Sequence, residues 1–175
     1  MFFSWLLKKK KTVSEEYHNP IKNPGLTTVL IVYGSTSGNT ICLTSVVEQI
    51  LRDARVVLDS RNVVETSPED LKKYDVIILG ASTWTGGELQ EDFKSFYDGL
   101  KTISLEGKQG ALYGVGDSSY PHFCKAVDLL RDRLKEANCT IIIDSLKIDG
   151  KVEEHFEEAQ EWARDLVQRI YRLEN

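Results

Sequence analysis

The residues best suited to chemistry form a run without a single charge: Ser35, Thr36, Ser37, Gly38, Asn39 and Thr40. They follow the apolar segment VLIVYG at residues 29–34 and precede a helical pattern. A strand that enters a helix through small hydroxylic residues makes an anion site. Backbone N–H groups point outward at the helix start, the macrodipole is positive there, and hydroxyls add donors. The run has no Lys or Arg, so it is not the Gly-x-x-x-x-Gly-Lys loop of a nucleoside triphosphate site. Only Gly34 and Gly38 occur, so it is not a Gly-x-Gly-x-x-Gly dinucleotide turn either. Two readings stand at this point: one phosphate monoester held by neutral donors, or a polar β–α turn with a capping box.

Two later segments favour the first. The strand-like DVIILG at residues 75–80 leads into Ala81, Ser82, Thr83, Trp84, Thr85, Gly86, Gly87 and Glu88. The strand-like GALYG at residues 110–114 leads into Val115, Gly116, Asp117, Ser118, Ser119 and Tyr120. In a parallel sheet all three loops emerge on one edge, where open α/β sheets bind ligands. Each later loop sets one large aromatic among small residues. Two aromatics beside a phosphate site can sandwich a flat ring, while Gly and Ser neighbours let backbone groups reach its polar edge.

The motifs IVYGSTSGNT, STW with ELQEDF (residues 88–93), GDSSYPHFCKAVD (residues 116–128) and LKIDG (residues 146–150) resemble those of short-chain flavodoxins from sulfate-reducing bacteria. The resemblance covers residues 28–170. It implies FMN, with its phosphate on residues 35–40 and its ring between Trp84 on the inner face and Tyr120 on the outer. The backbone of Val115, Gly116 and Asp117 would follow the pyrimidine edge. Ser82, Thr83, Thr85, Gly86, Gly87 and Cys124 complete the implied binding set. The segment GDSSY also resembles the flavodoxin-like domain of sulfite reductase and diflavin reductases. Some residues depart from the family pattern: Ile41 replaces the usual Glu, Thr-Gly-Gly-Glu after Trp84 is short, and His122 replaces an aromatic or acidic residue. Residues 139–148 read as one unbroken strand, without the insertion of long-chain members.

The resemblance also implies a role: a low-potential one-electron carrier working between flavin semiquinone and hydroquinone, not an enzyme. Negative charge on the reduced ring would be disfavoured beside Asp117, a phosphate and an acidic body. Semiquinone would gain an acceptor from the Thr85 carbonyl through a peptide flip, for which Gly86 supplies a positive φ. The alternatives are a flavin subunit dedicated to one reductase and a non-redox binding module. The three histidines, His18, His122 and His155, suggest no Ser–His–Asp grouping.

At 175 residues the chain is one domain by length. Net charge is −5 and uneven: residues 1–25 carry +3, leaving −8 on the rest. An acidic body disfavours nucleic acid and favours basic redox partners. Cys42, Cys124 and Cys139 have no metal or disulfide spacing, so reduced, buried thiols in a monomeric cytoplasmic protein are expected. The start, MFFSWLL followed by four lysines, is too short to span a bilayer, which needs ~20 apolar residues. It reads as a leader and linker over residues 1–25, with contact between residues 1–11 and an anionic membrane surface as the alternative.

Alternating strand and helix patterns from residue 28 onward predict a parallel sheet wrapped on both faces; its five strands fit the doubly wound α/β order 2-1-3-4-5 that the resemblance implies for a domain over residues 26–175. The expected strands are 28–33, 55–59, 75–80, 110–114 and 140–148. Helices are expected at 39–53, near Pro68 with a Ser67 cap, and at 90–100, 121–137 and 152–173. The last should bury Phe156, Ala159, Ala163, Leu166, Val167 and Ile170, with Trp162 packing at the edge of that stripe.

Overall fold

The computed structural model describes residues 26–34, 38–84 and 86–173. Its parallel sheet is built from β1 (Thr28–Gly34), β2 (Val57–Asn62), β3 (Val76–Ser82) and β4 (Gln109–Gly116), followed by the short β5 (Thr140–Ile141) and β6 (Leu146–Asp149). The order is β2-β1-β3-β4-β5, with β6 also pairing β4. This is the expected order, and the strands are apolar on both faces. Leu30, Val32, Ile77, Leu79 and Leu112 enter one core, while Val29, Ile31, Val76, Ile78 and Tyr113 enter the other. Strands buried on both faces need apolar residues at every position, which forces helices onto both sides.

Helices α1 (Asn39–Asp53) and α4 (Phe156–Arg172) cover one face, and α2 (Glu91–Gly99) and α3 (Lys125–Glu136) the other. Leu43, Val47 and Leu51 of α1 are fully buried, each contributing about 1.5–3 kcal/mol. The stripe of α4 is buried as expected except Phe156, which is half-buried. Trp162 meets Tyr113 edge-on with ring centroids 6.1 Å apart. At the start of β1, the backbone N–H and hydroxyl of Thr28 donate to Asp75 at 2.9 and 2.7 Å.

Several boundaries differ from expectation. The second strand begins at Val57 rather than 55, because Arg55 takes a left-handed φ of 58° and closes α1 by donating to the Arg52 carbonyl. The helix expected at 121–137 begins only at Lys125, after Cys124 at φ 49°. The stretch 140–148 is not one strand. β4 advances three residues from Gly110 to Tyr113 while its partners advance five, from Ile141 to Leu146. The two extra residues bulge, and Trp162 Nε1 donates to the Asp144 carbonyl there at 2.7 Å. The Pro68 segment is a 3₁₀ turn (Pro68–Lys73), with Ser67 donating to Asp70 from both N–H and Oγ. The last helix opens with another 3₁₀ turn, Val152–His155. All three cysteines are free; Cys124 and Cys139 are buried, but Cys42 is only half-buried.

Candidate functional site

Register brings four strand ends to one edge, with Gly34 beside Ala81, Ala81 beside Gly114 and Gly116 beside Asp149. A cavity of about 630 Å³ opens there. Asn39, Ser82, Thr83, Trp84, Gly86, Gly87, Val115, Gly116, Asp117, Tyr120 and Cys124 all line it, so residues spread over more than 80 positions meet as expected. Gly38 and Thr40 stand at the head of α1 and are not among the residues that line the cavity. Ser35, Thr36, Ser37 and Thr85 lie outside the described residues, and with them the expected Thr85 peptide flip.

The α1 pole has the properties of an anion site. Gly38 is the N-cap at φ 84°, and the first turn carries no acidic side chain of its own to offset the positive end of the helix dipole. The Thr40 Oγ1 is buried without a partner, and so is the Ser82 Oγ. A buried polar atom left unpaired costs about 1–3 kcal/mol. Ser82 lines the cavity, and Thr40 is the chain neighbour of the lining residue Asn39. Thr40 keeps its place because its carbonyl accepts from Thr44 Oγ1 at 2.7 Å, and Thr44 pairs with the buried Tyr113 hydroxyl at 2.7 Å.

The other pole is apolar and slot-like. Trp84 is 38% exposed and Tyr120 55%, a large apolar surface left open on two separate loops. The Trp84 loop is closed by Gly87 N–H to the Trp84 carbonyl at 3.0 Å and by Trp84 N–H to the Glu88 carbonyl at 3.0 Å. Gly86 is the third residue of this turn, and its φ of 89° is the left-handed value expected for it. On the Tyr120 loop, the Asp117 carboxylate accepts from Ser119 N–H at 2.9 Å and Ser119 Oγ at 2.6 Å. That carboxylate is turned into its own loop. Asp149 accepts from the N–H and hydroxyl of Ser118, which holds its carboxyl below the usual range.

Two expected residues play other parts. The Thr83 Oγ1 accepts from Ala126 N–H at 3.1 Å, so it caps α3 and satisfies an N–H that the helix itself cannot. Burial pushes the Cys124 thiol up to about 12, which makes it a wall residue rather than a nucleophile. Four lining residues escaped the sequence reading as site residues: Pro121, His122, Gly150 and Lys151. The last two follow β6, whose pairing with β4 carries them to the same edge. Gly immediately after the strand LKID was the available signal.

Fold and site together define a class: an open, doubly wound α/β protein with a cavity at the carboxyl edge of its parallel sheet. The Flavodoxin family model matches residues 31–162. A flavodoxin from Maridesulfovibrio salexigens is 39% identical over 144 residues, 81% of this chain and 97% of that protein. One from Nitratidesulfovibrio vulgaris is 37% identical over 142 residues, 79% and 96% of the two. The crystal structure of oxidised flavodoxin 1 from Bacillus cereus superimposes with a TM-score of 0.78 at 30% identity, covering 81% of this chain and 98% of that one. The chain belongs to the flavodoxin family. It is an FMN-based electron carrier that serves redox partners, not an enzyme.

Proposed function

We propose that this cavity holds FMN with its phosphate at the head of α1 and its ring in the aromatic slot. Ser35, Thr36, Ser37, Gly38, Asn39, Thr40 and Ser82 would serve the phosphate. Trp84 and Tyr120 would cover the two ring faces. Thr83, Thr85, Gly86, Gly87, Val115, Gly116, Asp117 and Cys124 would form the wall around it. The carrying observation is a cavity lined by the exposed Trp84 and Tyr120 and by Ser82, whose buried Oγ has no partner, with a second unpartnered buried hydroxyl, Thr40 Oγ1, next in sequence to the lining residue Asn39.

FMN supplies one-electron chemistry when bound. The chain's part is to orient the ring, keep water from its faces and set the charge around it. An acidic body disfavours added negative charge, which supports a low potential. The same field supports docking of basic partners, with Glu88, Glu91, Asp92 and Asp117 nearest the loops in sequence. Electron transfer should therefore slow as salt rises, since screening acts over ~10 Å at 0.1 M.

The domain proper is assigned to residues 26–175 and a leader to residues 1–25, of which residues 1–11 have the composition for weak contact with an anionic membrane. No helix among the described residues is long and apolar enough to cross a membrane. Free thiols support a cytoplasmic location. The test is to purify the full chain and a form lacking residues 1–23, then extract and weigh the cofactor. Both should be yellow and yield FMN. A colourless protein, or FAD, overturns the reading.

A further inference from the structure

Among the described residues, four of the eight arginines have side chains with no ion pair and no hydrogen bond: Arg52, Arg55, Arg169 and Arg172. All four are exposed. Two stand at the end of α1 and two at the end of α4, and the Tyr171 hydroxyl joins those ends by donating to the Ala54 carbonyl. This corner lies at the amino edge of the sheet, opposite the cavity. Thr28 is the register partner of Val57, and Leu26 and Arg55 each lie two residues ahead of that pair. Leu26, Tyr171 and Leu173 are exposed large apolar residues of the same edge. The seven residues of β1, at about 3.3 Å each, set the edge ~20 Å from the cavity.

Cations at a helix C-terminus complement its dipole, but that does not account for their being unpaired. Elsewhere along this edge cations are neutralised by acids three positions away: Lys73 by Asp70, Lys101 by Asp98 and Arg133 by Glu136. At the arginine corner the acids nearest in sequence among the described residues are Asp53, which accepts from Gln49, and Asp165. Neither forms an ion pair with the arginines, so the corner keeps exposed positive charge.

We propose that this amino edge is a docking surface for an anionic lipid bilayer, used together with residues 1–11. The proposal extends the membrane contact proposed for the leader by a second signal carried on the folded domain. What selects a bilayer is the chain ahead of the domain. Residue 26 enters at this same edge, and the sequence before it carries Phe2, Phe3, Trp5, Leu6 and Leu7, then four lysines. The 14 residues from 12 to 25 reach at most ~50 Å, enough for both clusters to meet one surface. Guanidinium forks suit lipid phosphates. A short apolar run alone binds a bilayer marginally, and a basic patch is the second signal that makes the contact stable. A nucleic acid offers phosphates but no apolar layer for the aromatic and leucine side chains. Docking this edge leaves the cavity facing water.

The test uses the full chain and phosphatidylcholine vesicles with and without phosphatidylserine, read by co-sedimentation. One variant carries Arg52→Gln, Arg55→Gln, Arg169→Gln and Arg172→Gln; another replaces Lys8, Lys9, Lys10 and Lys11 by Gln. The natural chain should bind only the serine-containing vesicles, and less as salt rises. Each basic side chain at an anionic surface strengthens binding about fivefold, so the arginine variant should bind at least ~10-fold more weakly although its leader is intact. As an independent reading on the natural chain, anionic vesicles should shield the four arginines from phenylglyoxal, followed by mass analysis. An arginine variant that binds as tightly as the natural chain overturns the proposal, as does equal modification with and without vesicles. If the lysine variant alone loses binding, the leader touches the membrane without the domain. A natural chain that ignores anionic vesicles overturns both readings. Displacement from vesicles by duplex DNA at equal phosphate concentration overturns the bilayer as the partner.

Discussion

Replacing Thr40 by Val separates the stability of the empty protein from the affinity of its site. The Thr40 side chain is fully buried, its Oγ1 has no partner, and it sits in the first turn of α1. Valine keeps the β-branch and nearly the shape while removing the hydroxyl. In the apoprotein this deletes an unsatisfied buried polar atom, so unfolding should become harder by about 1–3 kcal/mol. With FMN present, the same change deletes a hydrogen bond to a charged group, about 1.5–3 kcal/mol. That is roughly 10- to 150-fold in Kd. Riboflavin, which has the ring but no phosphate, should bind both proteins equally. Urea melts of the apoproteins and fluorescence titrations with the two flavins read these effects. If Thr40→Val destabilises the apoprotein and weakens riboflavin as much as FMN, the hydroxyl is a packing element and the phosphate reading of this pole fails.

Gly87→Ala should loosen the slot: its φ of 84° costs an L-residue roughly 1–2 kcal/mol, and its Cβ would press on His122 at 2.7 Å. Loss of FMN and riboflavin affinity together, by about tenfold, is the expected titration result. Asp70 is held at about 2 by the Lys73 ammonium at 2.6 Å and by Ser67. A depressed carboxyl stabilises the fold above its unfolded value of 3.8 and stops doing so as pH falls through about 2. With Lys73 largely exposed, Asp70→Asn should cost no more than about 1 kcal/mol at pH 7; urea melts should show the difference vanishing near pH 2. Burial pushes both Cys124 and Cys139 up to about 12, so iodoacetamide followed by mass analysis should modify half-buried Cys42 first and the other two only after unfolding.

The legible parts of this fold were those that follow from local chemistry. Helix α1 fell where expected, at Asn39–Asp53, because its start is marked by Gly38 and its apolar spacing is regular. The two-sided sheet followed from apolar runs that need cover on both faces, and its strand order from the family resemblance. The break at residues 142–145 was illegible for the same reason. Ile142 and Ile143 continue a β-branched run, and the group that claims the Asp144 carbonyl is Trp162, 18 residues later and on a helix. The delayed start of α3 has a similar origin. Pro121 is a fitting first helical residue, but Gly116 lies so close to Cys124 that a Cβ there would come within 2.9 Å of the Cys124 nitrogen. That tertiary approach, rather than local propensity, accompanies the left-handed turn at Cys124.

The site divides along the same line. Residue types announced which loops could hold a ring and a phosphate, but the orientation of each polar atom depended on partners far away in sequence. Thr83 looked like another ligand hydroxyl until Ala126, 43 residues on, placed an uncapped helix N–H beside it. Asp117 looked like a charge aimed at the ring, yet Ser119 turns it into a local loop. The β6 end entered unannounced, bringing Lys151 to the wall. The last two shifts lessen the negative charge facing the cavity. A low potential therefore has to come from the acidic body as a whole and from what shields the ring, not from Asp117 alone, and neutralising Asp117 should move the potential less than its place in the sequence suggests.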